Sequence, residues 1–319
     1  MSKPTENQSC PAFKTMIGGQ AVIEGIMMRG KDKACIAVRK ENGEIVTDTW
    51  EIKDSKAIKV IKKIPVLRGV VSFIGSLLTG YKSLNKSLEL SGMAEDLEPE
   101  SKFEQWLDKH LGDKMTGVIM GVASIIGVAA AIFLFMYLPA LLVSLISKVI
   151  DLGVFASAVE GLIKISIFVL YMFLVSRLKD IQRMFAYHGA EHKTIFCYEA
   201  GEELTVENVK KYKRFHPRCG TSFIIITLII SIIAFAAVTW SSPLMRVLVK
   251  FAVLPIVMGV SFECIRFAGK HDNLLTRILS APGVWMQHLT TNEPDDQMIE
   301  IAIAALKPVL PENREEMKW

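Results

Sequence analysis

Four long apolar stretches interrupt an otherwise polar and charged chain of 319 residues. They are Met115 to Leu138, Val154 to Ser176, Ser222 to Trp240, and Val247 to Ser261 with its flanks. Each is long enough, or nearly so, to cross the ~30 Å hydrocarbon core of a bilayer as a helix. The pattern predicts an integral membrane protein that is mainly α-helical, with about four transmembrane helices.

Shorter patterns predict small elements ahead of these spans. Residues 34–52 contain two short runs typical of strands around Asn42-Gly43, a dipeptide that suits a tight turn because both positions tolerate positive φ. In residues 67–81, apolar side chains recur at helical spacing over a length too short to cross a bilayer. We therefore predict a β-hairpin and a helix at the membrane interface.

Two further local features bear on backbone geometry. The stretch Ile17 to Gly30 is apolar but unusually rich in glycine, which predicts backbone in close approach to another group. Pro139 follows the first span, and we expect it to end or kink that helix because proline lacks the amide hydrogen that a helix interior uses. Residues 140–146 would then lie along the outer interface.

The basic residues predict which side of the membrane each loop faces. Nine lysines and arginines lie in residues 177–221, whereas the connections between spans one and two and between spans three and four contain one each, Lys148 and Arg246. Lysine and arginine are retained on the cytoplasmic side during insertion. The basic loop is therefore predicted inside, the short connections outside, and both termini in the cytoplasm.

These predictions divide the chain into five parts. They are a cytoplasmic N-terminal α+β region with the hairpin and interfacial helix (1–114), transmembrane helices one and two (115–176), a cytoplasmic loop (177–221), transmembrane helices three and four (222–263), and a cytoplasmic C-terminal region (264–319).

Composition adds three constraints. The first thirty residues lack a basic, apolar and small-residue succession, so we expect no cleavable secretory signal. Five cysteines without even spacing indicate reduced thiols in the cytoplasm rather than a disulfide framework. A net charge of +4, spread over soluble and membrane parts, gives no footprint for nucleic acid.

Charged residues inside apolar stretches need partners. Glu160 and Lys164 lie four residues apart in the second span, so they can form a mutual ion pair near its outer end, and a role in conduction is the alternative. Glu24 lies in the glycine-rich stretch, where Arg29 or Arg68 could neutralise it.

The strongest chemical signal is Tyr187-His188-Gly189-Ala190-Glu191-His192-Lys193, which follows the second span. If the helix of that span continues, His188 and His192 lie one turn apart on one face and can bind a single metal ion. Glu191 is then the candidate catalytic residue, as general base toward a water molecule that the metal activates. The pattern His-x-x-Glu-His is that of inverted zinc peptidases.

Further ligands come from two other segments that the predicted topology brings to the same membrane edge. His216 and Cys219 precede span three, and Glu263 ends span four. We predict that His188, His192, His216, Cys219 and Glu263 supply a site for a divalent transition metal such as zinc. The alternative is that these histidines cap helices or bind loops, and that Cys219 fills space as a small apolar residue.

Four segments resemble the bacterial YqhQ-like family: GGQAVIEGIMMRG, YHGAEHKTI, LTVENVKKYKRFHPRCGTSF and PGVWMQHLTTNEPDDQMIEIAI, which begin at residues 18, 187, 204 and 282. The sequence departs from the family in one place, at Lys31, where we expect proline. These bacterial membrane proteins are of unknown function and are often labelled as predicted metal-dependent enzymes. The resemblance implies a multi-pass protein of the bacterial cytoplasmic membrane and a metal-dependent role for the histidine motif, but no substrate.

Three functions fit this sequence. The first is a metal-dependent hydrolase with its site at the cytoplasmic membrane edge and a lipid-linked or membrane-proximal substrate. The second is a non-enzymatic membrane scaffold, or partner-recruiting module, with a structural metal or histidine cluster. A transporter is weaker, because only Glu160 and Lys164 could line a pathway. Oligomeric state stays open.

Overall fold

The computed structural model of the chain describes residues 13–92, 115–236, 243–271 and 273–311. The fold is mainly helical and divides into two compact units, each described here by itself. Unit 1 comprises Met1–Gly92, Val175–Ile226 and Gly259–Trp319, and unit 2 comprises Met93–Leu174 and Thr227–Met258.

Unit 1 contains a small antiparallel sheet in which each strand pairs with the next. Its strands are β1 (Gly18–Val22), β2 (Gly25–Arg29), β3 (Lys33–Arg39) and β4 (Ile45–Glu51), in the order β1-β2-β3-β4. The predicted hairpin is confirmed as β3 and β4, and the glycine-rich stretch before it forms two more strands. At the β3–β4 turn only Gly43 has positive φ, because the loop is longer than a two-residue turn.

Six α-helices of the described residues lie wholly within unit 1. They are α1 (Lys56–Ile61), α2 (Leu67–Ser91), α6 (Lys179–Glu199), α7 (Val206–Lys210), α10 (Leu274–Thr290) and α11 (Asp296–Leu306). The main core joins one sheet face to α6 and α11, and a smaller core joins the other face to Leu90 of α2. The sheet is therefore a middle layer that positions α6 on one side and α2 on the other.

Helix α2 continues ten residues beyond the predicted end at Tyr81. Its buried positions are small residues, namely Gly69, Gly80, Ser83, Ser87 and Ser91. Its exposed positions include large apolar residues, among them Leu67, Ile74, Leu77, Leu78 and Tyr81. Apolar side chains on the outward face fit a helix at the membrane interface, and that location stays a prediction.

Unit 2 is built from apolar helices. They are α3 (Met115–Ile132), a π-helical turn (Phe133–Tyr137), α4 (Leu138–Ile146) and α5 (Ala156–Val175). Two more helices, α8 (Gly220–Ala236) and α9 (Pro243–Lys270), contribute to both units.

Three helices in the described part of the chain are long and apolar enough to cross a membrane: Gly121–Ile146, Ala156–Val175 and Val247–Lys270. At most 22% of each apolar window is buried, so most of its apolar surface faces outward, as lipid contact requires. The third predicted span, Ser222 to Trp240, corresponds to a shorter apolar helix, Gly220–Phe235. These helices indicate association with a membrane.

The expectation that Pro139 ends the first span is wrong, and a kink at this position stays a prediction. The helix continues to Ile146, with Pro139 at the start of α4 directly after the π-helical turn. A π-helical turn is wider than an α-helical one, which relieves the clash of the proline ring with the preceding turn.

Two expected ion pairs have different partners. Glu160 pairs with Lys250 of α9, and the Lys164 ammonium lies over the Phe235 ring, 5.3 Å from its centroid. Glu24 pairs in bidentate fashion with Arg183 of α6, rather than with Arg29 or Arg68. In both cases a residue from a sequence-distant helix replaces the partner that proximity in sequence suggested.

Candidate metal centre

Helix α6 carries the histidine motif and is a helix of its own. The preceding helix α5 ends at Val175, and α6 begins at Lys179 after the extended residue Leu178. Four-residue spacing on α6 places His188 and His192 on the same face. Their ring centroids lie 4.4 Å apart, and the second half of the helix is buried in unit 1.

Each histidine is held by a backbone carbonyl through the same ring nitrogen. His188 Nδ1 lies 2.8 Å from the Thr290 carbonyl oxygen, and His192 Nδ1 lies 2.5 Å from that of Arg214. A carbonyl oxygen can only accept, so both Nδ1 atoms carry the hydrogen. Each Nε2 is therefore left as the nitrogen available to a metal, which is the usual outer-shell arrangement around a metal-bound histidine.

Cys219 completes a group of three ligand atoms. Its Sγ lies 3.1 Å from His188 Nε2, and the ligand atoms of His188, His192 and Cys219 all lie within 4.8 Å of one another. Cys219 directly precedes α8, and its sulfur also accepts hydrogen bonds from the amide and hydroxyl of Thr221. This His-His-Cys group could hold a metal ion.

The charge states in the group favour metal binding by sulfur. Burial raises the pKa of the Cys219 thiol, but the charges of His188 and His192 outweigh it and hold that pKa well below its usual range. Burial lowers the pKa of His188. The charge and hydrogen bond of Cys219 outweigh this effect of burial, so the pKa of His188 is raised to about 9. The thiolate is the form of cysteine that binds metals, and a metal cation held by Cys219 and His188 would replace the proton that the two side chains otherwise share.

Glu191 lies beside this group in a buried position. Its carboxylate accepts a hydrogen bond from the Gly19 amide, whereas Oε2 has no hydrogen-bond partner among the described residues. Burial raises the pKa of this carboxyl, and the neighbouring histidine charges only partly offset it. A Cβ on Gly19 would lie 2.7 Å from Glu191 Cδ, so the close backbone approach predicted for the glycine-rich stretch is to this carboxylate.

His216 is near the three ligands but outside the group. Its ring centroid lies 5.4 Å from that of His192, and its Nδ1 accepts a hydrogen bond from the Arg218 amide. Burial and the Arg218 charge hold the pKa of His216 well below its usual range. The contacts of Arg218 with the His216 ring therefore compete with the role of His216 as a metal ligand, which the sequence predicted.

Glu263 also lies outside the group of ligand atoms. It forms a bidentate ion pair with Arg68 of α2 and accepts a hydrogen bond from the Val66 amide at 3.3 Å. Its carboxylate thus joins α9 to the start of α2. As ligands, His216 and Glu263 stay predictions that the observed contacts do not favour.

Several residues that support the site were not identified from the sequence. The side-chain amide of Gln287, on α10, accepts a hydrogen bond from the His216 amide and donates one to the His216 carbonyl, both at 2.7 Å. The Arg218 guanidinium donates to the buried Glu199 carboxylate at 2.5 Å and to the Thr15 carbonyl oxygen at 3.0 Å. These contacts fix the loop that leads to Cys219. No spacing rule connects these residues, although Gln287 and Arg218 lie in segments that carry the family resemblance.

The donor set suits a transition metal of the zinc type. Two imidazole nitrogens and a thiolate are ligands that zinc binds in proteins, and the Nε2 of His192 is buried without a hydrogen-bond partner among the described residues. A buried polar atom of this kind is costly unless something pairs with it. The residues present therefore fit a metal ion.

The helices and this ligand group define the class of the protein: a mainly helical chain associated with a membrane, with a His-His-Cys group that could hold a metal. A family model described as "Protein of unknown function (DUF1385)" matches residues 64–312. The chain is 36% identical over 298 residues to "Uncharacterized protein YqhQ" of Bacillus subtilis (strain 168), covering 92% of each chain. The chain belongs to this family, which confirms the resemblance. No solved structure matches it.

Proposed function

We propose that this protein is a metal-dependent hydrolase of the bacterial cytoplasmic membrane, with its site at the cytoplasmic edge and a lipid-linked or membrane-proximal substrate. One observation carries the proposal. Two buried polar atoms, His192 Nε2 and Glu191 Oε2, have no hydrogen-bond partner among the described residues, and both belong to the neighbourhood of His188 and Cys219.

The number of ligands favours catalysis over a purely structural role. Structural zinc sites usually have four protein ligands, whereas catalytic ones have three and leave a position for water. A divalent metal such as zinc, held by His188, His192 and Cys219, would supply a Lewis acid that activates water.

Glu191 is the base in this proposal. It is one residue from His192, so on α6 its side chain leaves the helix at an angle of about 100° from that of the histidine. A carboxyl whose pKa is raised by burial accepts protons more readily near neutral pH than an exposed one. The free Oε2 can take a proton from water, while the Gly19 amide keeps the carboxylate in place.

The stretches of chain that form unit 1 support the predicted topology. Three separated stretches of chain form this unit, and apolar helices lie between each of them and the next. A chain returns to the same side of a membrane only after an even number of crossings. We therefore infer that α8 also crosses the membrane, as the third of four crossings, and that both termini are cytoplasmic, as the basic loop predicts.

A structural metal clip is the second candidate. Burial of His192, at 1% exposed, and of Cys219, at 8%, favours it, because a closed site suits a structural ion. In that case the metal would tie the start of α8 to α6, and Glu191 would be dispensable.

Metal analysis of the full-length protein in detergent tests whether a site exists. We expect a near-stoichiometric transition metal in the native protein and its loss in His192→Ala and Cys219→Ser. His288→Ala is the matched control, because His288 is exposed and lies outside the ligand group. Equal metal content in native protein and His192→Ala would reject both candidates.

Cobalt substitution then separates catalyst from clip. Azide should change the visible spectrum of the cobalt protein if a coordination position is open, and leave it unchanged if the site is closed. A panel of chromogenic esters and phosphodiesters gives the second readout. Glu191→Gln should keep its metal but lose about 10² to 10⁴ in any measured rate. A spectrum insensitive to azide, together with hydrolysis that is no faster with the native protein than with Glu191→Gln, would leave only the structural role.

A further inference from the structure

A second feature of unit 1 is a cavity of about 250 Å³ between strands β1 and β2 and helix α2. Polar residues from both sides line it, namely Arg29 and Gln20 of the strands and Ser76 and Thr79 of α2. The metal ligands lie elsewhere, on α6 and before α8.

The cavity exists because small residues stand where side chains would otherwise fill it. Gly18 pairs with Arg29 across the two strands, so a side chain at Gly18 would lie on the same face as the arginine. A Cβ added at Gly18 would meet no atom within 4 Å, and its φ is not in the positive region. The glycine therefore leaves space beside the arginine without a conformational requirement of its own.

Among the described residues that line the cavity, Arg29 alone is charged, and it is half-buried. Within the described residues it has no ion pair and no hydrogen bond, in contrast to Arg68, Arg183 and Arg218, which each bind a carboxylate. A guanidinium partly removed from water without a counter-ion is unfavourable, and its planar set of donors matches phosphate and carboxylate oxygens. An anion in the cavity would supply the partner that this guanidinium lacks among the described residues.

The neighbouring donors distinguish phosphate from a simple carboxylate. Ser76 and Thr79 are three residues apart, so their hydroxyls lie on one face of α2, opposite Arg29. Donors from two directions suit a tetrahedral group with several oxygens better than a planar one. Met16 and Met27 add apolar surface, which suits a short carbon chain attached to the anion.

We propose that this cavity binds the phosphate group of a small phosphate ester or of a lipid headgroup, with Arg29 as the main contact. The cavity has one residue in common with the candidate metal centre. Gly19 lines it, and the Gly19 amide donates a hydrogen bond to Glu191. The cavity lies on the α2 face of the sheet and Glu191 on the α6 face, so Gly19 connects the phosphate site to the proposed base through the sheet. This last link rests on the proposed hydrolase function, whereas phosphate binding itself does not.

Calorimetric titration of the full-length protein in detergent with sn-glycerol 3-phosphate tests the soluble source. Nanodiscs of phosphatidylglycerol or of a non-phosphate glycolipid test the lipid source, read by lipid retained in native mass spectrometry. We expect binding of at least one phosphate probe, weakened roughly tenfold or more in Arg29→Gln, since a charge-assisted hydrogen bond contributes on the order of 1.5–3 kcal/mol. Lys31→Gln is the matched control, because Lys31 is exposed and does not line the cavity.

A second variant tests the cavity without removing charge. Gly18→Val fills the open space, so it should abolish binding while the protein keeps its thermal stability. His192→Ala should bind phosphate like the native protein, which separates failure of this proposal from failure of the metal site. Binding by the soluble ester alone or by the lipid alone identifies the source. Unchanged affinity in Arg29→Gln and Gly18→Val, or no binding of either probe by folded protein, would overturn the proposal.

Discussion

Gly189 lies between the two histidines of α6, and we expect its replacement by alanine to reduce both stability and metal content. A Cβ at Gly189 would lie 2.1 Å from the Asn292 carbonyl oxygen. Ordinary contact needs about 3.4 Å, so one of the two backbones must move by about 1 Å. Asn292 resists this movement because two hydrogen bonds hold it. Its backbone amide donates to the Phe185 carbonyl oxygen at 2.8 Å, and its side-chain amide donates to the Gln182 carbonyl oxygen at 3.0 Å.

The expected magnitude follows from three contributions. Overpacking in a well-packed region typically costs ~1–3 kcal/mol, and weakening one backbone hydrogen bond adds about 1 kcal/mol. Alanine in a helix regains about 1 kcal/mol relative to glycine. The free energy of unfolding should therefore fall by roughly 2 kcal/mol. Because Thr290, two residues before Asn292, holds His188, the same movement should lower the metal content.

Thermal unfolding in detergent, followed by far-UV circular dichroism, measures the effect. A loss of about 2 kcal/mol corresponds to a fall of roughly 4–8 °C in the midpoint for a domain of this size. Gly75→Ala is the matched control, since a Cβ at this helical glycine would meet no atom within 4 Å, and it should raise the midpoint by a few degrees. A Gly189→Ala protein with native midpoint and native metal content would refute the reasoning.

Three other predictions test the packing and the topology. Glu199→Ala should lower the free energy of unfolding by about 3–5 kcal/mol, because it leaves a buried arginine without its carboxylate, and chemical denaturation in detergent measures this loss. Lys250→Met should lower the melting temperature more than the double change Lys250→Met with Glu160→Gln, because the single variant leaves the buried Glu160 carboxylate without its counter-ion. A cysteine at Thr205 should escape an impermeant thiol reagent in intact cells, whereas one at Asp151 should react. Labelling of the Thr205 position would contradict the predicted orientation.

The apolar helices and the histidine pair could be predicted from the sequence because both depend on local properties. A helix that crosses or contacts a membrane is recognised by its length and composition, and the three candidate helices overlap the predicted spans. His188 and His192 share a face because four residues make about one helical turn, whatever the rest of the fold does. The same reasoning identified the β3–β4 hairpin through Asn42-Gly43.

The third member of the His-His-Cys group and the ion pairs were decided only by the tertiary structure. Topology allowed His216, Cys219 and Glu263 equally, because it specifies a membrane edge and not the direction of a side chain. Competing partners made the difference: Arg218 holds His216 and Arg68 holds Glu263.

The same reason explains the ion pairs and the glycine-rich stretch. Glu160 pairs with a lysine ninety residues away rather than with Lys164, one turn along its own helix. The glycine-rich stretch gave no sign of whether it approached a ligand, a helix or a side chain, until the fold set Gly19 against Glu191. Periodicity reports which residues share a face of one element, whereas the partner across that face depends on how distant elements pack.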